Sequence, residues 1–297
     1  MEWKTERQLG IRVTVGIVAW LVIFDLLLIW IVVQLPVTFL TFVIGLVVLL
    51  SLPIFAFLVY YLLGLRGSSY ALDRNVLTIN WGMTQHTIPM AAIERLVPGT
   101  EIASKFRFLG GYWPGLWVGR GQVAGLGLAH FYATTVVWNE LLFALTPGRA
   151  FVISPAERTR FVEAFAQRKA MGPTQEVKYA YRHPELFDWP LWRDKLGLSL
   201  VGSAALALLL LFGFLAWRFP DLPGTLPLHY DLAGQADRMG ERVLIFNLPV
   251  IGLLALVANS GLGGVLYRRK EQFAAYLLWT GALLVQVVLW VTVFRMG

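Results

Sequence analysis

The chain has 297 residues, of which 57% are hydrophobic and only 14% charged, a balance outside that of ordinary soluble domains. It carries no cysteine, so disulfides and thiolate metal sites are excluded and the redox compartment cannot be read. The net charge of +7 does not call for nucleic acid, because a multi-pass protein with basic cytoplasmic flanks reaches such an excess by default.

Apolar runs of about 20 residues account for the composition. The 12 Trp fit the same picture, since indole rings favour the headgroup level. The first run, about 13–35, is preceded by a segment that mixes Glu2 and Glu6 with Lys4, Arg7 and Arg12, and no small-residue cleavage site follows it. It is expected to be a retained span, not a removed signal peptide. The second run, about 37–65, begins after a short link at Pro36, so residues 1–65 read as a tight transmembrane helical hairpin. Pro53 would kink the second span unless neighbouring helices re-satisfy the freed carbonyl. Asp25 lies near the middle of the first span, where an acid costs several kcal/mol and marks a functional-site hypothesis. The alternative is a protonated or hydrogen-bonded Asp that joins helices. With no Lys, Arg or His inside the spans to relay a proton, the second reading is preferred.

Residues 66–169 differ from everything around them. Val76 to Trp81 alternates like a strand, Gly82 to Gln85 turns the chain, and His86 to Pro89 returns. A linking segment, Ala91 to Leu96, leads to a Gly-rich stretch from Gly110 to Arg120. Further strands are expected at 130–135, 136–145 and 150–153, the last two joined by the turn Thr146-Pro147-Gly148. A helix closes the region. Ser154 is read as its N-cap, Pro155 as its first residue and Glu157 as the capping-box partner, with Phe161, Val162 and Phe165 on one apolar face. Several short strands followed by one helix is an element order that several small barrels share.

Tyr70-x-Leu72-Asp73, Leu77-x-Ile79, Ile88-Pro89 and Ile93 come first in the motif order. Pro114 to Gly119, Tyr132-Ala133-Thr134 and Phe151 to Pro155 with Phe161-Val162 follow. In that order they resemble the bacterial pleckstrin-homology (PH) domain family. The resemblance covers about 100 residues and implies a PH-like barrel; it brings no catalytic residues. Lys105, Arg107 and Arg120, interleaved with Phe106, Phe108, Tyr112, Trp113 and Trp117, suggest a surface that docks on anionic headgroups. The other reading makes the aromatics core and the bases a solvated rim. No Gly-Lys-Ser/Thr follows the glycines, so they are read as turns and close backbone approaches and not as a phosphate loop. His86, His130 and His183 are scattered and read as ordinary domain residues.

Residues 170–195 turn from polar to aromatic, with Phe187, Trp189 and Trp192 beside Arg193 and Lys195, as in a segment lying along headgroups. Three more spans follow, at about 196–217, 243–267 and 273–294. The basic flanks Lys4, Arg7, Arg12, Arg66, Arg193, Lys195 and Arg268 to Lys270 all fall on one side. By the positive-inside rule that side is the cytoplasm, which places 66–169 inside and both the loop 218–242 and the C-terminus outside a bacterial inner membrane.

The loop holds Pro227, His229, Asp231, Gly234 and Asp237. It resembles a bacterial membrane domain of unknown function whose loop reads Pro-x-His-[Tyr/Phe]-[Asp/Asn]…Gly-x-x-Asp and whose members include toxin-immunity and signalling proteins. His229, Asp231 and Asp237 could offer one imidazole and two carboxylates, but no fourth ligand is evident and no metal is expected. Turn formation and partner recognition stay open for them. The sequence thus describes a multi-pass α-helical membrane protein with five transmembrane helices and an inserted β-rich PH-like barrel closed by a C-terminal helix. No enzyme signature or cofactor motif is present. The expected role is a membrane-anchored binding or scaffold module, or an accessory subunit, whose partners are membrane lipids and a protein. Immunity- or receptor-like binding through His229 is the first alternative, and small-solute transport through Asp25 the second.

Overall fold

The computed structural model describes residues 1–102, 105–230 and 236–296. A short strand β1 (Glu2–Lys4) precedes two long helices, α1 (Gln8–Gln34) and α2 (Phe39–Arg66). The strands β2 (Ser69–Leu72), β3 (Val76–Trp81), β4 (Thr84–Pro89), β5 (Arg95–Pro98), β6 (Phe106–Trp113), β7 (Leu116–Val123), β8 (Gly127–Ala133), β9 (Leu142–Thr146) and β10 (Arg149–Ile153) come next. Then follow α3 (Arg158–Met171), β11 (Ala180–Arg182), α4 (Lys195–Arg218), the hairpin β12 (Thr225–Tyr230) and β13 (Ala236–Glu241), α5 (Asn247–Arg268) and α6 (Gln272–Met296). Five of the helices are long and apolar enough to cross a membrane, in the five places where hydropathy puts them. α2 runs on through Pro53.

The chain divides into two compact units, residues 1–24 with 51–184 and residues 25–50 with 185–297. In the first, β1-β2-β3-β4-β11 form one sheet and β5-β9-β10-β8-β7-β6 another, every pairing antiparallel except β8 with β10. No closed barrel forms among the described residues, which departs from the barrel expected. The first sheet ends instead on two local strands: β1 takes the free edge of β2, and β11 takes the free edge of β4. One core lies between the two sheets and α3, with Tyr70, Leu77, Ile79, Ile88, Phe151, Ile153 and Phe161 fully or almost fully buried. A second covers the other face of the six-stranded sheet, around Trp117, Phe131, Phe143 and Val152. Burial on both faces explains why β8, β9 and β10 read as near-continuous apolar runs.

The start of α3 differs from the expected capping box. The helix begins at Arg158 with Glu157 at the N-cap and no side-chain cap. Ser154 Oγ accepts instead from Thr134 N at 2.7 Å. The N-terminal strand is the reason: Thr5 bridges Pro155, and Lys4 O accepts from Ala156 N, so these residues stay extended. Phe161 and Phe165 face the core as expected, but Val162 is exposed and Ala164 takes the third inward place.

The first unit includes the helix ends on which the sheets sit. Gly10 of α1 lies against the turn at Gly115, where a Cβ on either would collide with the other's backbone. Gly64 of α2 lies under the Trp81 indole. Trp113 Nε1 donates to Thr14 Oγ1 at 3.1 Å, and Gly111 N donates to Tyr61 Oη at 3.0 Å. In the second unit α4, α5 and α6 pack around Leu211, Leu215, Leu289 and Val293 at one end and around Tyr267, Ala275 and Trp279 at the other. Gln286 Nε2 donates to Gly252 O at 2.9 Å, joining α6 to α5.

Candidate functional site

Strand alternation separates the bases of the Gly-rich region from its aromatics. The register sets Leu109 opposite Arg120 and Arg107 opposite Gln122, so Arg107, Leu109 and Arg120 share one face of the β6–β7 pair. Phe106 and Phe108 point to the other face and join the Trp117–Phe131–Trp138 cluster, where Trp117 stacks on Phe131 at 4.8 Å. Most of the aromatics are therefore core, not docking groups. Exposed apolar surface does remain on β6, the edge strand of its sheet: Leu109 is 84% exposed on the face of the bases, and Tyr112 is 52% exposed on the other face, against Phe108 and Trp117. Lys105, Arg107 and Arg120 are exposed around Leu109. The pairs Trp113–Thr14 and Gly111–Tyr61 hold the C-terminal end of β6 against α1 and α2.

A second cluster was not foreseen. His86 on β4 and His130 on β8 both lie on the inward phase of their strands, and their rings approach to 5.6 Å. His86 is almost completely buried. Its Nε2 pairs with Tyr132 Oη and its Nδ1 with Tyr179 Oη, both at 2.8 Å, while Tyr181 stacks on the ring at 4.3 Å. His130 stacks on Phe151 at 5.4 Å, and its buried Nε2 has no hydrogen-bond partner among the described residues. Burial, then the neighbouring His130, Arg120, Arg149 and His183, pull His86 down to about 3. Burial, then Arg120 and Arg149, pull His130 down to about 4. Both rings are neutral at pH 7. Behind them Tyr70 Oη donates to Tyr132 O at 2.5 Å and accepts from Ser154 N at 3.0 Å; burial pushes its phenol up to about 12. A sequence signal was available for His86 alone, which falls in phase with Ile88 on the alternating strand β4; β8 is apolar in both phases and marks no face for His130.

Within 218–242, β12 pairs antiparallel with β13; His229 pairs with Arg238 and the register shifts on both sides of His229. Asp231 and Gly234 lie outside the described residues, as do the side chains of His229 and Asp237. Asp25 sits in mid-α1, partly buried. In the second unit an apolar crevice of about 720 Å³ is lined by Val37, Phe42, Leu46, Leu208, Phe212 and Leu253. Walls of that kind suit an acyl chain or another helix and not a hydrated solute.

Residues 68–169 match the model of a bacterial PH domain. Residues 206–253, from within α4 through the hairpin into α5, match that of a domain of unknown function (DUF1648). No curated protein and no solved structure matches the chain.

Proposed function

We propose that this is a non-enzymatic, membrane-anchored accessory subunit that presents its PH-like domain to a protein partner at the cytoplasmic surface of a bacterial inner membrane. In this reading the five apolar helices span the bilayer. The PH-like domain faces the cytoplasm, the β12–β13 hairpin faces outward, and the domain binds no nucleic acid. The observation that carries it is the close seating of the sheets on the ends of α1 and α2 through Gly10, Gly64, Tyr61 and Trp113. Such contacts hold the domain beside the point where the helices enter the apolar phase. The exposed Leu109, flanked by Lys105, Arg107 and Arg120, is then set to meet anionic headgroups.

The absence of cysteine makes the topology directly testable. Glu163→Cys on α3 and Asp221→Cys after α4 introduce single exposed thiols. A membrane-impermeant maleimide should label the second in intact cells and the first only after permeabilisation; the reverse pattern would overturn the orientation. For the accessory role, the full chain purified in mild detergent should carry one stoichiometric partner protein. A monodisperse monomer with no co-purifying protein would count heavily against it.

A second reading, an immunity- or receptor-like protein that binds an external peptide, draws on the hairpin and on the register shifts at His229. It predicts that His229→Ala and Asp237→Ala change envelope-stress or toxin-sensitivity phenotypes. Unchanged phenotypes in both would remove it.

A further inference from the structure

Residues 173–184 run between α3 and α4, bracketed by Pro173 and Pro184, and most of them are exposed. They hold to the first sheet at two places. At the start, Asn75 Oδ1 accepts from Thr174 N and Gln175 N at 2.7 and 3.1 Å. At the end, the three residues of β11 pair with Gln85 to Thr87 of β4. A three-residue strand contributes little by itself. What adds to it is His86: Tyr179 bonds to one ring nitrogen, and Tyr181, paired directly across from it, stacks on the ring.

The surroundings of that ring exclude a second positive charge. Arg120 comes from β7, His130 from β8, Arg149 from β10 and His183 from the segment itself, and all of them disfavour a charged His86. Arg149 also lies over the Tyr179 ring at 5.0 Å. The other facing groups are phenols: Tyr132 of β8, Tyr179 and Tyr181 of the segment, and Tyr60 of α2 near Tyr132 and Tyr181. The buried, unpartnered Nε2 of His130 offers a new proton no acceptor.

We propose that residues 173–184 form a proton-operated latch, closed on the outer edge of β4 while His86 and His130 are neutral and released when they are protonated. Lifting the segment removes Tyr179 and Tyr181 from His86, lets water reach that imidazole, and opens a way past it to His130, whose ring lies 5.6 Å away. They then return toward the ordinary histidine value of about 6.5, from about 3 and about 4 when closed. Below about pH 6.5 each histidine therefore favours the open form by up to about tenfold per pH unit. Release uncovers the N–H and C=O groups of the β4 edge and frees the chain that leads from α3 into α4.

Hydrogen exchange on the full-length chain in detergent micelles tests this. After correction for intrinsic rates, those amides of Ala180–Arg182 and Gln85–Thr87 that bond across the β4–β11 pair should exchange at least tenfold faster at pH 5.0 than at pH 7.5. Those of β8 and β10 should stay protected. In the double variant His86→Gln/His130→Gln the pH step should vanish. Equal protection at the two pH values, persistence of the step in the double variant, or simultaneous loss of protection in β8 and β10 would each overturn the latch. Should the double variant not fold, Tyr179→Phe supplies the check: loss of its hydroxyl should move release to higher pH, and an unmoved midpoint would also overturn the latch.

Discussion

Gly115 turns the β6–β7 hairpin at a φ of +80°, with the Gly10 backbone occupying the space a side chain would need. Gly115→Ala therefore adds strain at a positive φ to a collision between the sheet and α1. We expect a loss of about 2–4 kcal/mol, read as a lower thermal midpoint in detergent by tryptophan fluorescence. Gly125 has a similar φ of +82° with nothing near it, so Gly125→Ala should cost only about 1 kcal/mol. Equal losses would mean that the contact with the helix contributes nothing. The histidine pair gives a second expectation at this scale. Both pKa values are lower in the closed folded chain than in the unfolded one, so below about pH 6.5, and down to about 3–4 for as long as residues 173–184 stay closed, the unfolded chain binds more protons. Stability from this source is complete above about pH 6.5 and falls as the pH drops through that window. His130→Phe keeps the stack on Phe151, removes an unsatisfied buried nitrogen, and should flatten the acid limb of a stability-versus-pH curve while staying within about 1 kcal/mol of the parent at pH 7.5. An unchanged acid limb would show that His130 does not titrate on unfolding.

The elements were legible where one face is buried and one is not. β3 and β4 alternate strictly and were readable residue by residue. The six-stranded sheet was less so, because apolar residues fill both of its faces and erase the period-2 signal. The strand expected over 136–145 is in fact a 3₁₀ turn at Trp138–Glu140 followed by β9. β1 carries no signal at all, since three residues are too few to show a period. Its worth is tertiary: Trp3 is buried edge-on against Phe161 at 5.6 Å, and the strand keeps Pro155 and Ala156 out of α3. Trp3→Ala should cost about 3–5 kcal/mol, seen as a lower thermal midpoint and as faster amide exchange in α3. A cost near zero would show that β1 is an ornament on a sheet already complete.

For the whole molecule, the long apolar helices follow from hydropathy, but their partners do not. The polar groups that join α4, α5 and α6 are few. Gln286 reaches Gly252 O, and Trp290 Nε1 donates to Ala207 O at 3.0 Å. Gln286→Ala should weaken the α5–α6 contact by about 0.6–2 kcal/mol, measurable as a lower denaturation midpoint in mixed micelles; Asn259→Ala, whose amide only bonds back to Ala255 O in its own helix, should do less. Similar shifts for both would show that Gln286 has no special place in the bundle. By itself the sequence determined the five apolar helices, the PH-like region between the second and third of them, and the likeness of residues 206–253 to a domain of unknown function, because hydropathy, period and motif order are properties of contiguous residues. Only the tertiary structure decided that the sheets stay open, that β1 and β11 occupy their edges, that bases and aromatics of β6 and β7 part to opposite faces, and that His86 and His130 meet. Those outcomes depend on pairing register between segments far apart in the chain, and a shift of one residue in register would send every side chain to the other face.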